Sequence, residues 1–440
     1  MIKLAFGAIR LLAVLALLPF AVDWRSPLLA SVRPPALAIL VAVPLSVVAF
    51  EIWRVRVSPP EGGLIRALRA ATIAVCAAVL LATLGPEAMF HWVRHQGLTT
   101  DTNQLERVGR HVIVGFRDLQ ELRALVERRA IAGVFVTSRN VAGKETAQIR
   151  QEIDRLQELR RQQGLPPLWI AADQEGGLVS RLSPPLTALP ALAEVVARNP
   201  DPSARQVAVA RYAATQGKEL AALGVNLNFA PVVDLNFQVQ TPDDRYTRIA
   251  QRAISSDPAI VRDVAAQYCA SLRETGVLCT LKHFPGLGRV AADTHLTGAD
   301  LAASRTELEA ADWVPFRALM CGDGAATMLG HARLTAVDPV HPASFSRPVI
   351  DLVRREWNCD AVLITDDFSM GAVYQSPEGI GGGSVAALKA GVDLILISYD
   401  TDQYFAIMES LLRAAATSAL RREDLGESDG RLNRLRSRLP

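Results

Sequence analysis

The stretch VLCTLKHF, residues 277–284, sets the expectation for the fold, because an apolar run ends there in a lysine and a histidine. Continuous Val, Ile and Leu content suits a strand that is buried on both faces of a parallel sheet. Similar apolar runs occur at 108–116, 131–137, 167–173, 225–235, 325–331, 360–368 and 392–398.

The segments between these runs contain good helix formers. An example is ETAQIRQEIDRLQELRRQQG, residues 145–164, which ends in a glycine as helices often do. Strand and helix alternating eight times over about 330 residues predict an α/β fold of the closed (β/α)8 TIM-barrel type. A doubly wound open sheet is the alternative. Its dinucleotide-binding form is disfavoured because no G-x-G-x-x-G sequence follows an early strand.

Polar side chains end five consecutive predicted strands, namely Asp173, Asp234, Lys282 with His283, His331, and Asp366 with Asp367. Burying unpaired charges there is costly, and the carboxyl ends of barrel strands carry the active site in barrel enzymes. Carboxylates around a polar cavity suit hydrolysis of a glycosidic bond, which needs a nucleophile or base and a proton donor. Metal-assisted hydrolysis stays open, because Asp173, His283, His331 and Asp366 have side chains that can bind an ion.

The first 90 residues contain three long apolar stretches, 4–22, 35–53 and 71–90. Each is close to the ~20 residues that cross a hydrocarbon core. A signal peptide is the alternative interpretation of the first stretch, but the other two stretches still predict a membrane anchor. We therefore expect residues 1–97 to form a membrane anchor of about three transmembrane helices, followed by a barrel domain at 98–440.

Lysine and arginine positions predict the orientation of this anchor. With three spans, one side of the membrane receives Lys3, Arg10, Arg54, Arg56, Arg66 and Arg69, and the other receives Arg25, Arg33 and Arg94. The richer side is expected to be cytoplasmic, so the barrel domain is expected on the outer, periplasmic side of the cytoplasmic membrane. If Arg10 keeps the first segment out of the bilayer, the number of spans is even and the barrel lies inside.

Charge and cysteine content narrow the function further. Lysine and arginine number 47 against 45 acidic residues, and no long basic run lies beyond the membrane flanks, so nucleic acid is not an expected partner. Cys76, Cys269, Cys279, Cys321 and Cys359 show no metal-ligand spacing. Buried free thiols are the expectation, although an outer location would place the last four in an oxidising compartment.

Several motifs resemble those of glycoside hydrolase family 3, and most closely its bacterial β-N-acetylglucosaminidases of cell-wall recycling. The motifs are KHFPGLG (282–288), ADTH (292–295), ITDDFSM (364–370) and ADQEGGLVSRL (172–182), with NFAPVVDLN (228–236) and QRAISSDP (251–258) in the same order. The resemblance covers residues 105–400 and implies a (β/α)8 barrel. It excludes the membrane segments and leaves no room for the second domain of larger members.

The resemblance implies a catalytic set. Asp366 matches the nucleophile, which forms a covalent glycosyl-enzyme, so the reaction retains configuration. His295 matches the acid/base, and Asp293 is the aspartate that holds it; an imidazole titrates near neutral pH, as a proton shuttle requires. The resemblance implies neither a cofactor nor a metal.

The resemblance also implies substrate-binding residues, namely Asp173, Arg181, Arg252, Lys282 and His283. His331 receives no firm role. Three positions depart from the usual motifs: Leu287 replaces a histidine, Leu178 replaces an arginine, and DTH stands where DSH is common. Leu287 leaves the conformation of its loop as an open question.

These expectations describe a membrane-anchored retaining β-N-acetylhexosaminidase that removes terminal N-acetylglucosamine from glycans of the cell wall. A β-glucosidase or xylosidase of the same superfamily is an alternative, but the Asp-x-His pair argues against it. A degenerate, non-catalytic barrel that binds glycans is another alternative. The presence of Asp366, Asp293 and His295 together argues against such a loss of catalytic residues. The sequence predicts no oligomeric state.

Overall fold

Eight parallel strands close into a barrel in the C-terminal part of the chain. The structure is a computed structural model that describes residues 2–57, 62–239, 244–322 and 324–439. The barrel strands are β1 (Val112–Gly115), β2 (Gly133–Val136), β3 (Trp169–Ala172), β4 (Leu227–Asn228), β5 (Cys279–Phe284), β6 (Ala325–Leu329), β7 (Val362–Asp367) and β8 (Leu394–Ile397). Each lies within one of the eight apolar runs.

Strand pairing confirms the closed barrel and excludes the open sheet. Neighbouring strands pair in parallel from β4 through β3, β2, β1, β8, β7 and β6 to β5. The circle closes where Leu227 of β4 bridges Leu278, next to β5. Inward-facing apolar side chains fill the barrel, among them Ile113, Phe135, Trp169, Phe229, Met328, Ile364 and Leu396.

Helices cover the barrel because each strand leads into an amphipathic segment. Carboxylates cap several of these helices, as where Asp257 accepts the amides of Ala259 and Ile260. The helices are Thr102–Gly109, Leu119–Glu127, Ser138–Val141, Thr146–Gln162, Leu192–Arg198, Pro202–Leu223, Ile249–Arg252, Pro258–Arg273, Arg305–Ala310, Trp313–Leu319, Arg347–Asp351, Gly371–Tyr374, Gly379–Ala390, Gln403–Ala416 and Arg422–Arg436.

Two small pairs of strands lie outside the barrel. After β3, Gln174–Gly176 and Val179–Ser180 form an antiparallel hairpin. Gly176 and Gly177 turn it with φ angles of 93° and 58°, which favour glycine. Leu178, which stands where the family motif usually has an arginine, is exposed at the tip of this hairpin. Asp300–Leu301 and Arg333–Leu334 form the second, parallel pair.

The chain folds as two compact units, Met1–Gln96 and Gly97–Pro440. The first contains helices Ile2–Leu15, Leu18–Val22 and Arg33–Val57 and most of Gly63–Thr99. Three helical segments, Leu4–Val22, Arg33–Val57 and Gly63–Thr99, are long and apolar enough to cross a membrane by length and composition. This agrees with the three predicted apolar stretches.

An ionic cluster lies inside the first unit. The Glu51 carboxylate is buried and accepts hydrogen bonds from Nε of Arg10, at 2.8 Å, and Nε of Arg69, at 3.0 Å. The three residues come from three different helical segments. Arg10 therefore has a carboxylate partner within this unit.

The expectation of free thiols is wrong for four of the five cysteines. Cys269 forms a disulfide with Cys279 and Cys321 with Cys359, across Cα separations of 5.3 and 5.2 Å. Cys269 lies on the helix that leads into β5, and Cys279 begins that strand, so the return of the chain from helix to strand brings the two together. Among the described residues Cys76 remains a buried free thiol, as predicted.

Candidate active site

A charged cluster lies where β3 and β5 end. Lys282 is 2% exposed in its side chain, and its Nζ lies 2.7 Å from carboxylate oxygens of both Asp173 and Glu175. The guanidinium of Arg252 makes a bidentate pair with the carboxylate of Glu175. Its Nε and Nη2 donate to the two carboxylate oxygens at 3.0 and 2.6 Å. Arg252 also donates from Nη1 to the carbonyl of Thr247 at 2.8 Å. Two cations thus share two carboxylates.

Mutual pairing keeps this cluster ionised. Burial alone would raise the pKa of Glu175, but Arg252 and Lys282 lower it to about 2. Burial alone would lower the pKa of Lys282, but Asp173 and Glu175 raise it. A buried ionic cluster of this kind is stable only when each charge has a partner. Glu175 was not predicted; its signal was a second carboxylate two residues after Asp173.

His283 is held in one tautomer at the end of β5. Its Nδ1 lies 2.7 Å from Oδ2 of Asp234, a carboxylate that can only accept, so Nδ1 donates. Its Nε2 lies 3.4 Å from Nη2 of Arg252 and serves as an acceptor. Asp234 also accepts the amides of His283 at 3.1 Å and of Leu287 at 2.6 Å.

Leu287 fits this loop without the histidine that is usual in the family. Its side chain is buried, and a methyl carbon lies 3.3 Å from where a side chain on Gly330 would begin. The open question about the loop is answered by the amide of Leu287, which is fixed by the carboxylate of Asp234.

Asp293 and His295 form a pair on the loop after β5. Nδ1 of His295 lies 2.8 Å from Oδ1 of Asp293, and the Asp293 carboxylate can only accept. Nδ1 therefore donates, and Nε2 is the ring atom that can exchange a proton with a substrate. The His295 side chain is 40% exposed, whereas that of Asp293 is buried.

A second loop holds Asp293 in place. The carboxylate accepts the amides of Arg245 at 3.0 Å and Tyr246 at 2.8 Å, and the hydroxyl of Thr247 at 2.8 Å. Burial would raise the pKa of Asp293, but the bonds from His295, Tyr246 and Thr247 lower it well below the ordinary value. Asp293 is therefore a fixed anion.

Asp366 lies at the end of β7 with imidazoles around it. Burial would raise its pKa, but the fields of His283, His331 and His295 and the amide of Asp367 together lower it. That amide donates to Oδ1 of Asp366 at 2.8 Å. Asp366 is thus a partly buried carboxylate that is ionised at neutral pH.

His331 and Asp367 fix the backbone next to Asp366. Nε2 of His331 donates to the carbonyl of Asp367 at 3.0 Å, and Nδ1 accepts from the Ser344 hydroxyl at 2.7 Å. Burial lowers the pKa of His331, against the opposing effect of the nearby Asp366 carboxylate. The Asp367 carboxylate accepts the amide of Ser369 at 2.9 Å, within its own loop, and the amide of Tyr399 at 2.8 Å beyond β8.

The predicted site residues fall into three groups. Lys282, Asp173, Arg252 and His283 lie in one network of contacts that Glu175 completes. Asp293 and His295 form a pair, and the imidazole of His295 lies near enough to affect the ionisation of Asp366. Arg181 is exposed, and its amide donates to the carbonyl of Asp173 at 3.1 Å. Within the described ranges, no three His, Cys, Asp or Glu side chains converge as a metal site.

Comparison with known proteins shows which family the barrel resembles. The profile of the glycosyl hydrolase family 3 N terminal domain matches residues 98–435. A β-hexosaminidase from Alkalilimnicola ehrlichii is 35% identical over 301 residues, which are 68% of this chain and 82% of the relative.

Solved structures give the same result. A family 3 β-N-acetylglucosaminidase from Paenibacillus sp. is 32% identical with a TM-score of 0.68, over 76% of this chain and 62% of that chain. A glycosyl hydrolase of the same family from Mycobacterium smegmatis is 30% identical with a TM-score of 0.65, over 76% of this chain and 96% of that one. The chain belongs to glycosyl hydrolase family 3.

Proposed function

We propose that this chain is a retaining β-N-acetylhexosaminidase that releases terminal N-acetylglucosamine from the non-reducing end of glycans. The observation that carries this proposal is the ionised carboxylate of Asp366 at the end of β7, with the Asp293–His295 pair on a loop that is joined to the chain after β7 by the hydrogen bond from the Gly371 amide to the His295 carbonyl, at 2.8 Å. A nucleophile of this kind needs a proton donor close by, and Nε2 of His295 supplies one. The β-hexosaminidases and β-N-acetylglucosaminidase among the relatives support the choice of sugar.

In the first step, a carboxylate oxygen of Asp366 attacks the anomeric carbon while the bond to the leaving oxygen breaks. His295 Nε2 gives its proton to that oxygen. In the second step, Nε2 takes a proton from water, and the water oxygen displaces Asp366 from the sugar. Two displacements at one carbon restore the starting configuration. The anionic Asp293 holds the imidazole in place and stabilises its charged form through Nδ1.

We assign sugar binding to Asp173, Arg181, Arg252, Lys282 and His283. Lys282 and Arg252 are held by Glu175 and Asp173, so their remaining N–H groups are oriented before a substrate binds. Arg181 differs because the residue is exposed and only its backbone amide contacts Asp173. Its planar fork suits the acyl carbonyl of an N-acetyl sugar.

We further propose that the substrate is a cell-wall glycan and that the barrel faces the outer side of the cytoplasmic membrane. The N-terminal helical segments suit a multi-pass anchor, and the Lys and Arg distribution favours this orientation. The ion pair of Arg10 with Glu51 lowers the cost of inserting the first segment. Two disulfides in the barrel fit an oxidising compartment.

A panel of nitrophenyl glycosides tests the activity with the full chain in detergent. We expect the N-acetyl-β-glucosaminide to be hydrolysed with the highest kcat/KM. A preference for the glucoside or xyloside would contradict the sugar assignment. Binding of N-acetylglucosamine without hydrolysis of any member of the panel would favour a non-catalytic glycan-binding barrel.

A pair of reporter fusions after residue 98 tests the orientation. One fusion carries alkaline phosphatase, which is active outside, and the other a fluorescent protein that matures only in the cytoplasm. We expect an active phosphatase and a dark fluorescent fusion. The reverse result would place the barrel in the cytoplasm.

A further inference from the structure

A short segment, Asp244–Arg248, borders the acid/base pair and is not part of the family motifs. Its backbone is fixed at both ends. The amides of Arg245 and Tyr246 donate to Asp293, and the carbonyl of Thr247 accepts from Arg252. The Asp244 carboxylate accepts the amide of Arg248 at 2.9 Å. These bonds hold the segment rigidly against the site.

The side chain of Tyr246 projects from this fixed backbone. Its ring centroid lies 5.6 Å from that of His295 at an interplanar angle of 48°. Tyr246 is 59% exposed, and the His295 side chain is 40% exposed. A large aromatic ring therefore lies beside the proton donor and remains open to solvent.

The position of the leaving sugar follows from the chemistry of His295. A general acid must come within about 2.6–3.2 Å of the atom that it protonates, which here is the glycosidic oxygen. That oxygen belongs to the leaving sugar, so the ring of the leaving sugar lies next to Nε2 of His295. The ring of Tyr246 lies beside the same imidazole, with its centroid 5.6 Å from the imidazole centroid.

We propose that Tyr246 is a specificity-determining residue, whose ring stacks on the C–H face of the leaving sugar. The inference rests on the proposed function and adds the residue that binds the aglycone. Single exposed aromatic side chains are common on protein surfaces. Tyr246 differs because its backbone amide is bound to the carboxylate of Asp293. Binding a sugar there therefore costs little conformational entropy of the backbone.

Partitioning of the glycosyl-enzyme tests this role without interference from the proton donor. With N-acetyl-β-glucosaminyl fluoride as the donor, fluoride leaves and the sugar stays on Asp366. Water then gives hydrolysis, and added methyl N-acetyl-β-glucosaminide gives a disaccharide by transfer from Asp366 to its hydroxyl. His295 accepts the proton in both reactions, so the transfer-to-hydrolysis ratio reports binding of the acceptor sugar in the leaving-group position.

We expect Tyr246→Ala to lower this ratio about fivefold, the size of one aromatic contact. Tyr246→Phe, the matched control, keeps the ring and should keep the ratio. Both reactions start from the same glycosyl-enzyme, so a change in the rate at which that intermediate forms does not alter the ratio, and circular dichroism will show that the alanine variant is folded. If the alanine variant does not fold, Tyr246→Leu replaces it and is expected to lower the ratio as well.

Two results would overturn the inference. One is an unchanged ratio in Tyr246→Ala, whatever the individual rates; if both rates also fall together, Tyr246 acts only through His295. The other is an equal fall of the ratio in Tyr246→Phe, which would assign the effect to the hydroxyl. A wild-type enzyme that cleaves no N-acetylglucosaminyl donor would instead refute the proposed function.

Discussion

Nδ1 of His295 lies 2.8 Å from Oδ1 of Asp293, two positions earlier in the chain. The carboxylate is in turn fixed by amides from the loop of Tyr246, so the imidazole has a set orientation before a substrate binds. This arrangement leaves Nε2 free for proton transfer. The pair therefore has the geometry of a histidine acid/base with its own anchor.

Replacing His295 should slow poor leaving groups more than activated ones. An aryl leaving group needs little protonation, so His295→Ala should cost a disaccharide about 10² to 10⁴ in kcat/KM and a nitrophenyl glycoside much less. Rates on both substrates check this. Equal losses would place the proton donor elsewhere, with His283 as the next candidate.

The chain offers a matched control for that variant. His341 is also 40% exposed, and its Nδ1 lies 2.9 Å from Asp338 in a second His–Asp pair. His341→Ala should leave the ratio of the two kcat/KM values unchanged. A selective loss on the disaccharide in this variant would mean that the ratio does not report acid catalysis.

Glu175 should stabilise the barrel at neutral pH and lose that effect in acid. Its pKa falls from 4.5 to about 2 on folding. Because the folded pKa is the lower one, the contribution is complete above pH 4.5 and disappears as the pH falls toward 2. It amounts to roughly 3 kcal/mol.

The measurement is urea unfolding of wild type and Glu175→Gln between pH 5 and pH 2. The free-energy difference between them should shrink by about 3 kcal/mol on acidification. Glu194→Gln, which changes a carboxylate exposed on a helix, is the control and should follow the wild type. A constant difference for Glu175→Gln would contradict the ionised cluster.

The two disulfides should stabilise the folded barrel. Cys321 and Cys359 are 38 positions apart, and closing a loop of that length contributes about 4 kcal/mol in the chain-entropy model. A Cys321→Ser/Cys359→Ser variant should therefore unfold at lower urea. Alkylation of the unfolded, unreduced wild type should modify Cys76 alone; modification of all five cysteines would contradict the pairing.

Local pattern revealed most of the fold because each barrel strand is a continuous apolar run. β5 and β7 also ended in the polar residues that the structure places at the rim, so Lys282 and Asp366 could be predicted from position. Glu175 could not, since its partner Arg252 is 77 positions away and their contact depends on how two loops meet. The disulfides were missed for the same reason, because no spacing rule pairs Cys321 with Cys359.

Asp366 should be the residue that bonds to the sugar. Asp366→Ala removes the attacking oxygen and should abolish turnover. The barrel should stay folded, because the amide that donates to this carboxylate belongs to the next residue of the same strand. Circular dichroism and unfolding in urea check the fold. Loss of the fold together with activity would show a structural role.

Trapping the intermediate identifies the nucleophile. The wild-type enzyme is incubated with a fluorinated N-acetylglucosamine donor, and the labelled peptide is located by mass spectrometry. We expect one sugar, attached to Asp366 within ITDDFSM at residues 364–370, and none in the Asp366→Ala variant. A label on another carboxylate, such as Asp173, Glu175 or Asp367, would contradict the mechanism.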